Sequence, residues 1–350
     1  MTTLIIGGGL SGLALADMLH RRGHEFRLLE ARDRLGGRIL TEQLGDASFD
    51  MGPAWFWPGQ PRMAALIDRL GLETFAQYAE GLLAVEDAQG QVQHGRAHAA
   101  MQGALRVGGG LAAVTHALAE ALPPDLIRCG AQVAYLARAE GTITATLTTG
   151  EPLQAERVVL AMPPRIAATL DYIPALPAAS LEAMRGVSTW MAGQAKALAV
   201  YEAPFWREAG LSGDAMSRHG PMVEIHDASP MHGGPYGLFG FIGVPAEART
   251  DHDTLRAAVI AQLVRLFGPQ AATPSHVFLK DWAHDPLTAV AADMAPLYAH
   301  PTYGLPPALS GLWDDRLLMA GTEVAPQFGG FVEGALEAAE NVFARLTGER

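Results

Sequence analysis

The sequence predicts an α/β protein in which a Rossmann-like dinucleotide-binding unit carries a smaller α+β lobe, and three observations support that expectation. The chain opens on a β-branched run that passes directly into Gly7-Gly8-Gly9-Leu10-Ser11-Gly12 and then into a helical stretch. Of its 350 residues, 49% are apolar and 18% charged, enough apolar material for a substantial core. At about 150 residues per domain, that length suggests two domains, or one large fold with an inserted lobe.

The elements follow in order. Thr3 to Ile6 reads as a strand, and the helix after it runs from about Ser11 to Arg22. Gly7 permits the tight turn, Gly9 lets the backbone approach a pyrophosphate, and Gly12 lets the helix pack close to the strand. The helix amino terminus then presents unpaired N–H groups to the phosphates. After Gly23 a second strand, Arg27 to Leu29, ends in Glu30, where a carboxylate can accept from both hydroxyls of an adenosine ribose. Further on, Arg106-Val107-Gly108-Gly109-Gly110 begins a helix, Val133 closes a strand, and Val158 to Ala161 leads into Met162-Pro163-Pro164. Strands are expected over Thr189 to Tyr201, Met222 to His226, Tyr236 to Ile242 and His276 to Trp282, with a helix from about Asp253 to Phe267. Near the carboxy terminus, Phe328-Gly329-Gly330-Phe331-Val332-Glu333-Gly334-Ala335 opens a helix to about Leu346. A glycine pair before a helix amino terminus offers N–H donors and a positive dipole end to an anionic ring edge.

Composition narrows the function. Twenty-five basic against thirty-seven acidic residues leave a formal charge of -12, which opposes binding to nucleic acid or anionic lipid. The single Cys129 excludes an intramolecular disulfide framework and a multi-cysteine metal cage, and suits a reducing compartment. Twelve histidines show no metal-ligand spacing, so no metal is expected, although His226-Asp227 is a candidate substrate-facing pair. No apolar run reaches the roughly 18 residues that span a bilayer, and the terminal segments read as neither leader nor anchor. The expectation is a cytoplasmic protein without a membrane partner. Lysine is scarce: only Lys196 and Lys280 occur, so each is worth examining, because arginine cannot supply an amine whose pKa falls on burial.

The segment Ala31-Arg32-Asp33-Arg34-Leu35-Gly36-Gly37-Arg38, the run Asp50-Met51-Gly52-Pro53-Ala54-Trp55 and the stretch Met319-Ala320-Gly321-Thr322-Glu323 carry a family resemblance. With the carboxy-terminal glycine signature, they resemble the FAD-dependent flavin amine oxidases of the monoamine oxidase group, over nearly the whole chain. The resemblance implies a two-dinucleotide-binding fold and places Gly7, Gly9, Gly12, Glu30, Arg32, Gly37, Arg38, Val133, Glu323, Phe331 and Val332 at FAD. Glu323 would accept from ribityl hydroxyls. It also implies that Lys196 holds a water against flavin N5 and favours electron transfer to O2, and that Trp282 packs near the isoalloxazine. Lys280 reads as a structural ion-pairing residue.

Two departures from the family bear on substrate. Monoamine oxidases place two tyrosine rings perpendicular to the flavin; the matching positions here are Phe331 and Ala292, so half the slot is missing unless Trp55, Phe56 or Trp57 replaces it. Ala291 stands where some relatives link the flavin to cysteine, so the FAD is expected to be non-covalent. The cofactor domain is expected over 1–80, 102–185 and 283–350, and the substrate domain over 81–101 and 186–282. Between Gly81 and Arg106 a short polar hairpin-like stretch replaces the helical subdomain of longer relatives. That leaves the substrate side either open to solvent or covered by an oligomeric mate or other partner chain.

The function implied is oxidation of a small amine at its C–N bond, by hydride transfer to flavin N5 with O2 as acceptor, giving imine or carbonyl and hydrogen peroxide. Lys196, Phe331, Trp55 and Trp282 form the expected reacting face. The alternatives are a flavin dehydrogenase or desaturase acting on a carbon–carbon bond, as in protoporphyrinogen and carotenoid enzymes, and a non-catalytic FAD-binding subunit of a complex.

Overall fold

Five short strands organise the larger part of the molecule. In the computed structural model, which describes residues 2–97, 99–295, 297 and 299–348, they run in the order Leu317–Met319, Arg157–Leu160, Thr3–Ile6, Phe26–Leu29 and Ile127–Arg128. Met1 and residues 349–350, part of the terminal segments considered above, lie outside the described residues. Every neighbouring pair in this sheet is parallel, and parallel strands need both faces covered. Thr3–Ile6 is accordingly buried along its whole length. Its side chains alternate between two cores, as the period of a strand requires. Ile5 packs with the helices Leu10–Arg21, Ala112–Glu120 and Val332–Thr347, while Leu4 and Ile6 pack against a four-stranded sheet. That second sheet has the order Pro152–Ala155, Thr142–Leu147, Val133–Ala139, Asp171–Ile173.

The third sheet has seven strands: His276–Asp281, Ala195–Tyr201, Tyr236–Ile242, Met222–Asp227, Leu211–Ser217, Leu82–Glu86 and Val92–Gly95. The alternation of Ala195-Lys196-Ala197-Leu198-Ala199-Val200 decides what each face does. Ala195, Ala197 and Ala199 let the helix His252–Phe267 lie close to one face, whereas Leu198 and Val200 meet Phe49, Met51 and Trp55 across the other. Lys196 falls on the second side, toward the dinucleotide-binding part. The helix begins at Asp251, whose carboxylate accepts from the backbone N–H groups of Asp253 and Thr254 at 3.2 and 3.1 Å.

Three local readings need correction. Val133 opens its strand instead of closing one, because the chain turns into the antiparallel partner Thr142–Leu147 only after Ala139. The strand expected from Thr189 starts at Ala195, since Met191 takes a left-handed φ of 63° that ends any extended run. Leu211–Ser217 was not expected as a strand, since its sequence is polar and interrupted by Gly213. Its Ser212, Asp214 and Ser217 are nevertheless buried, each satisfied in part by side-chain or backbone partners.

Glu333 ties two helices together. It is fully buried and accepts from the backbone N–H groups of Arg62 and Met63 at 3.0 and 2.8 Å, capping the helix Pro61–Arg69 from the first turn of Val332–Thr347. Gln60, the residue at the cap position, makes no such bond itself. Glu333→Ala is therefore expected to cost about 2 to 3 kcal/mol, the scale for hydrogen bonds to a charged group, read as a lower urea midpoint with unchanged slope.

Candidate active site

A cavity of about 620 Å³ runs from the first glycine turn to the seven-stranded sheet. Gly7, Gly9, Glu30, Arg32, Gly37, Arg38, Val133 and Val332 line it, and so do Trp55, Lys196, Trp282 and Phe331. The fold thus brings together residues that the sequence separates by more than three hundred positions.

At the glycine end, close packing leaves no room for side chains. A Cβ on Gly12 would lie 1.9 Å from the carbonyl oxygen of Gly7, and one on Gly7 would lie 2.4 Å from that of Ala161. Gly9 differs, because a Cβ there meets nothing nearer than 3.8 Å, so it borders free cavity space. Gly12 itself stands behind the wall as a packing residue. Glu30 is fixed at the end of its strand by N–H donors from Gly8 at 2.7 Å and Arg32 at 2.9 Å. The Arg32 guanidinium donates to Asp285 at 2.8 Å and Thr288 at 3.0 Å. Lys280 donates to the same Asp285 at 2.9 Å, so it is an ion-pairing residue whose partner is Asp285. Arg34 donates to the carbonyls of Leu35, Gly37 and Ile39 and staples the glycine loop.

Glu323 is the main correction among the cofactor residues. It is fully buried and absent from the wall, and both its oxygens accept from Arg38, at 2.6 and 3.2 Å. Arg38 rather than Glu323 faces the cavity, and Glu323 holds it there. Burial works against the Arg38 cation, but the Glu323 charge and hydrogen bond outweigh it and hold the guanidinium above its ordinary range.

At the sheet end, Lys196 is buried and its Nζ donates to the carbonyl of Gly52. The ammonium also lies 5.0 Å from the ring centroids of Phe239 and Phe241. Burial pushes its pKa down to about 7, with the charge of Asp50 opposing the shift. The Asp50 pKa is itself raised by burial, and its Oδ2 has no hydrogen-bond partner among the described residues. Trp282 donates from its indole to Met51 O at 3.0 Å, with the Lys280 ammonium 4.5 Å from its ring. Trp55 donates to Gln77 Oε1 at 2.7 Å and packs edge-on against His226 and Phe239 at 5.3 and 5.6 Å.

Of the candidates to replace the missing ring, Trp55 and Trp57 reach the cavity. Phe56 turns into the helix-packed core instead. Ala292 is exposed, and its carbonyl accepts from Arg165. Phe331 stacks on His300 at 4.9 Å and 14°, and His300 meets Trp190 edge-on at 4.8 Å, a support that the sequence did not signal. His226 and Asp227 do not face the cavity. Asp227 binds Trp206 and Arg207, while His226 lies between Asp214 and Glu224. Glu224, Phe241, Trp190 and Gln194 line the cavity and were not anticipated. Among the described residues no helix is long and apolar enough to cross a membrane.

The sequence profile of the family described as flavin containing amine oxidoreductase matches residues 10–98 and 75–346. The chain belongs to this family. It is an enzyme, a flavin-dependent amine oxidoreductase, and its cofactor is FAD. The putrescine oxidase of Kocuria rosea is 24% identical over 467 aligned positions that cover 99% of this chain and 95% of the relative. That alignment is longer than the 350 residues here, so the relative carries insertions that this amine oxidoreductase lacks. An L-amino acid dehydrogenase of Synechocystis is also 24% identical, covering 99% and 94% of the two chains. The structure of cyclohexylamine oxidase from Brevibacterium oxydans superposes with a TM-score of 0.81 at 21% identity, covering 99% of each chain, which shows the shared fold.

The residues present fit the dinucleotide. The side-chain-free border at Gly9, the ordered acid Glu30 and the two fixed guanidiniums of Arg32 and Arg38 follow one another along a single cavity. The helix beginning at Val332 points its amino terminus at the same space.

Proposed function

We propose that this enzyme oxidises an amine at its C–N bond with O2 as the final acceptor. The observation that carries the proposal is one continuous cavity that joins a dinucleotide cradle to an aromatic chamber around a buried lysine. In balanced form, an amine, O2 and water give a carbonyl compound, ammonia or a smaller amine, and hydrogen peroxide. FAD, when bound, would accept the α-hydrogen as hydride and pass the electrons on to O2. The chain's own residues position and exclude water. Trp55, Trp282 and Phe331 form apolar walls that orient the amine, and Lys196 is the one cation lining the sheet end of the cavity among the described residues.

The FAD is held without a covalent link in this reading, since Ala291 offers no thiol and Cys129 is exposed away from the cavity wall. We assign residues 1–80, 102–185 and 283–350 to the cofactor domain and 81–101 and 186–282 to the substrate domain. In this reading the substrate side is open to solvent, and the exposure of Val223 and Phe331, 41% and 37%, is in keeping with it. A second chain covering that side is part of the same proposal.

The similarity to an L-amino acid dehydrogenase makes the acceptor the feature to test. Turnover of amines in air is expected to give one hydrogen peroxide per carbonyl formed. Turnover that needs an added dye, with no peroxide in air, would replace O2 by another acceptor.

A further inference from the structure

Across the seven-stranded sheet, Lys196 is paired with Phe241 and Phe241 with Glu224, so the three side chains stand in one row on one face. All three line the cavity. Two strand spacings separate the ends of the row, about 10 Å of backbone. The other charged residues of the wall, Glu30, Arg32 and Arg38, belong to the dinucleotide end. Glu224 is therefore the one acid that lines the cavity at the sheet end among the described residues.

Its carboxylate is held in an unusual way. Glu224 Oε1 contacts His226 Nε2 at 2.8 Å, and His226 Nδ1 contacts Asp214 Oδ1 at 2.7 Å. With a carboxylate on each ring nitrogen, the imidazole satisfies both only by donating from both, as the imidazolium. Burial opposes that charge, but the two carboxylates outweigh it and raise the His226 pKa above its ordinary value. His226 and Asp214 are almost completely buried, whereas the Glu224 side chain keeps 25% of its surface. Two acids and one imidazolium leave a net negative charge, and its accessible end is Glu224. Between Glu224 and Lys196 the wall is apolar, with Phe241 in the row and the Trp55 ring 6.3 Å from it.

We propose that Glu224, fixed by His226 and Asp214, binds a second cationic group on the substrate, so that the enzyme prefers amines whose two positive ends are joined by an apolar chain. Glu224 is the specificity residue; His226 and Asp214 are positioning residues that act through it. The inference rests on the amine-oxidation reading, and it adds the class of amine.

The test uses the FAD-loaded enzyme without oxygen and follows loss of the yellow flavin absorbance. The probes are α,ω-diaminoalkanes, n-alkylamines of the same chain lengths and ω-amino acids. Half-saturation for the best diamine should be at least about tenfold lower than for the matching alkylamine, the scale of one charge-assisted contact. The ω-amino acid, with a carboxylate aimed at Glu224, should be the poorest of the three. In Glu224→Gln the ratio between diamine and alkylamine should collapse to near one. Equal half-saturation for diamines and alkylamines in the native enzyme overturns the inference, with no need for a variant to fold. So does an unchanged ratio in a folded Glu224→Gln protein. Bleaching by none of the amines would overturn the amine reading and this inference with it, whereas bleaching by alkylamines without a diamine advantage overturns this inference alone.

Discussion

Lys196→Met is expected to slow reoxidation of the flavin by O2 about 100-fold, the effect of losing one preorganised electrostatic group, while FAD content stays near that of the native enzyme. The residue is buried, it is anchored to Gly52 O, and among the described residues it is the one cation on the sheet side of the cavity wall. A positive charge at that point would stabilise superoxide as it forms from O2, whereas methionine keeps the length and loses the charge. The measurement is a stopped-flow reoxidation after anaerobic reduction, which separates the oxygen step from amine oxidation. Unchanged oxygen reactivity would remove Lys196 from that role.

The same lysine gives a pH dependence with a definite sign. With a folded pKa of about 7 the ammonium is lost as pH rises through that value, so the oxygen step should slow over the same window. Stability moves the other way. The unfolded chain keeps this proton up to its ordinary 10.5, so between about 7 and 10.5 the unfolded state binds more protons and stability at this site rises with pH.

Gly12→Val should abolish detectable FAD retention and destabilise the fold by about 1 to 3 kcal/mol, the range for overpacking. The added Cβ would lie 1.9 Å from a backbone carbonyl, that of Gly7, and neither partner is a flexible side chain that can swing aside. The helix Leu10–Arg21 would have to move off the strand Thr3–Ile6, carrying its N–H donors away from the cavity. Gly59→Ala is the control: a Cβ there meets nothing within 4 Å, and flavin content should not change. Flavin absorbance of the purified proteins and their thermal midpoints report both effects.

The parts of the site that were legible in the sequence are those where backbone geometry dictates the residue. The turn at Gly7, the packing glycine Gly12 and the terminal acid Glu30 sit where strand, glycines, helix and second strand require them. The helix Val332–Thr347 and the strand Tyr236–Ile242 likewise follow from their own apolar pattern. What could not be read was set by partners far away in sequence. Glu323 reads as a cofactor acid until Arg38, 285 positions earlier, is seen to take both its oxygens. Glu224 and His226 acquire their arrangement from Asp214, on a strand whose buried serines and aspartate resemble a loop. Phe56 carries the same aromatic signal as Trp55 and Trp57, and only tertiary packing turns it to the core.

Anaerobic mixing of the FAD-loaded enzyme with a panel of amines and, separately, with polyene and tetrapyrrole substrates of carbon–carbon dehydrogenation tests amine oxidation most directly. One or more amines should bleach the flavin within seconds, with the amine converted to a carbonyl compound, and the carbon–carbon substrates should leave the spectrum unchanged. Bleaching by the carbon–carbon substrates with none by amines would contradict amine oxidation.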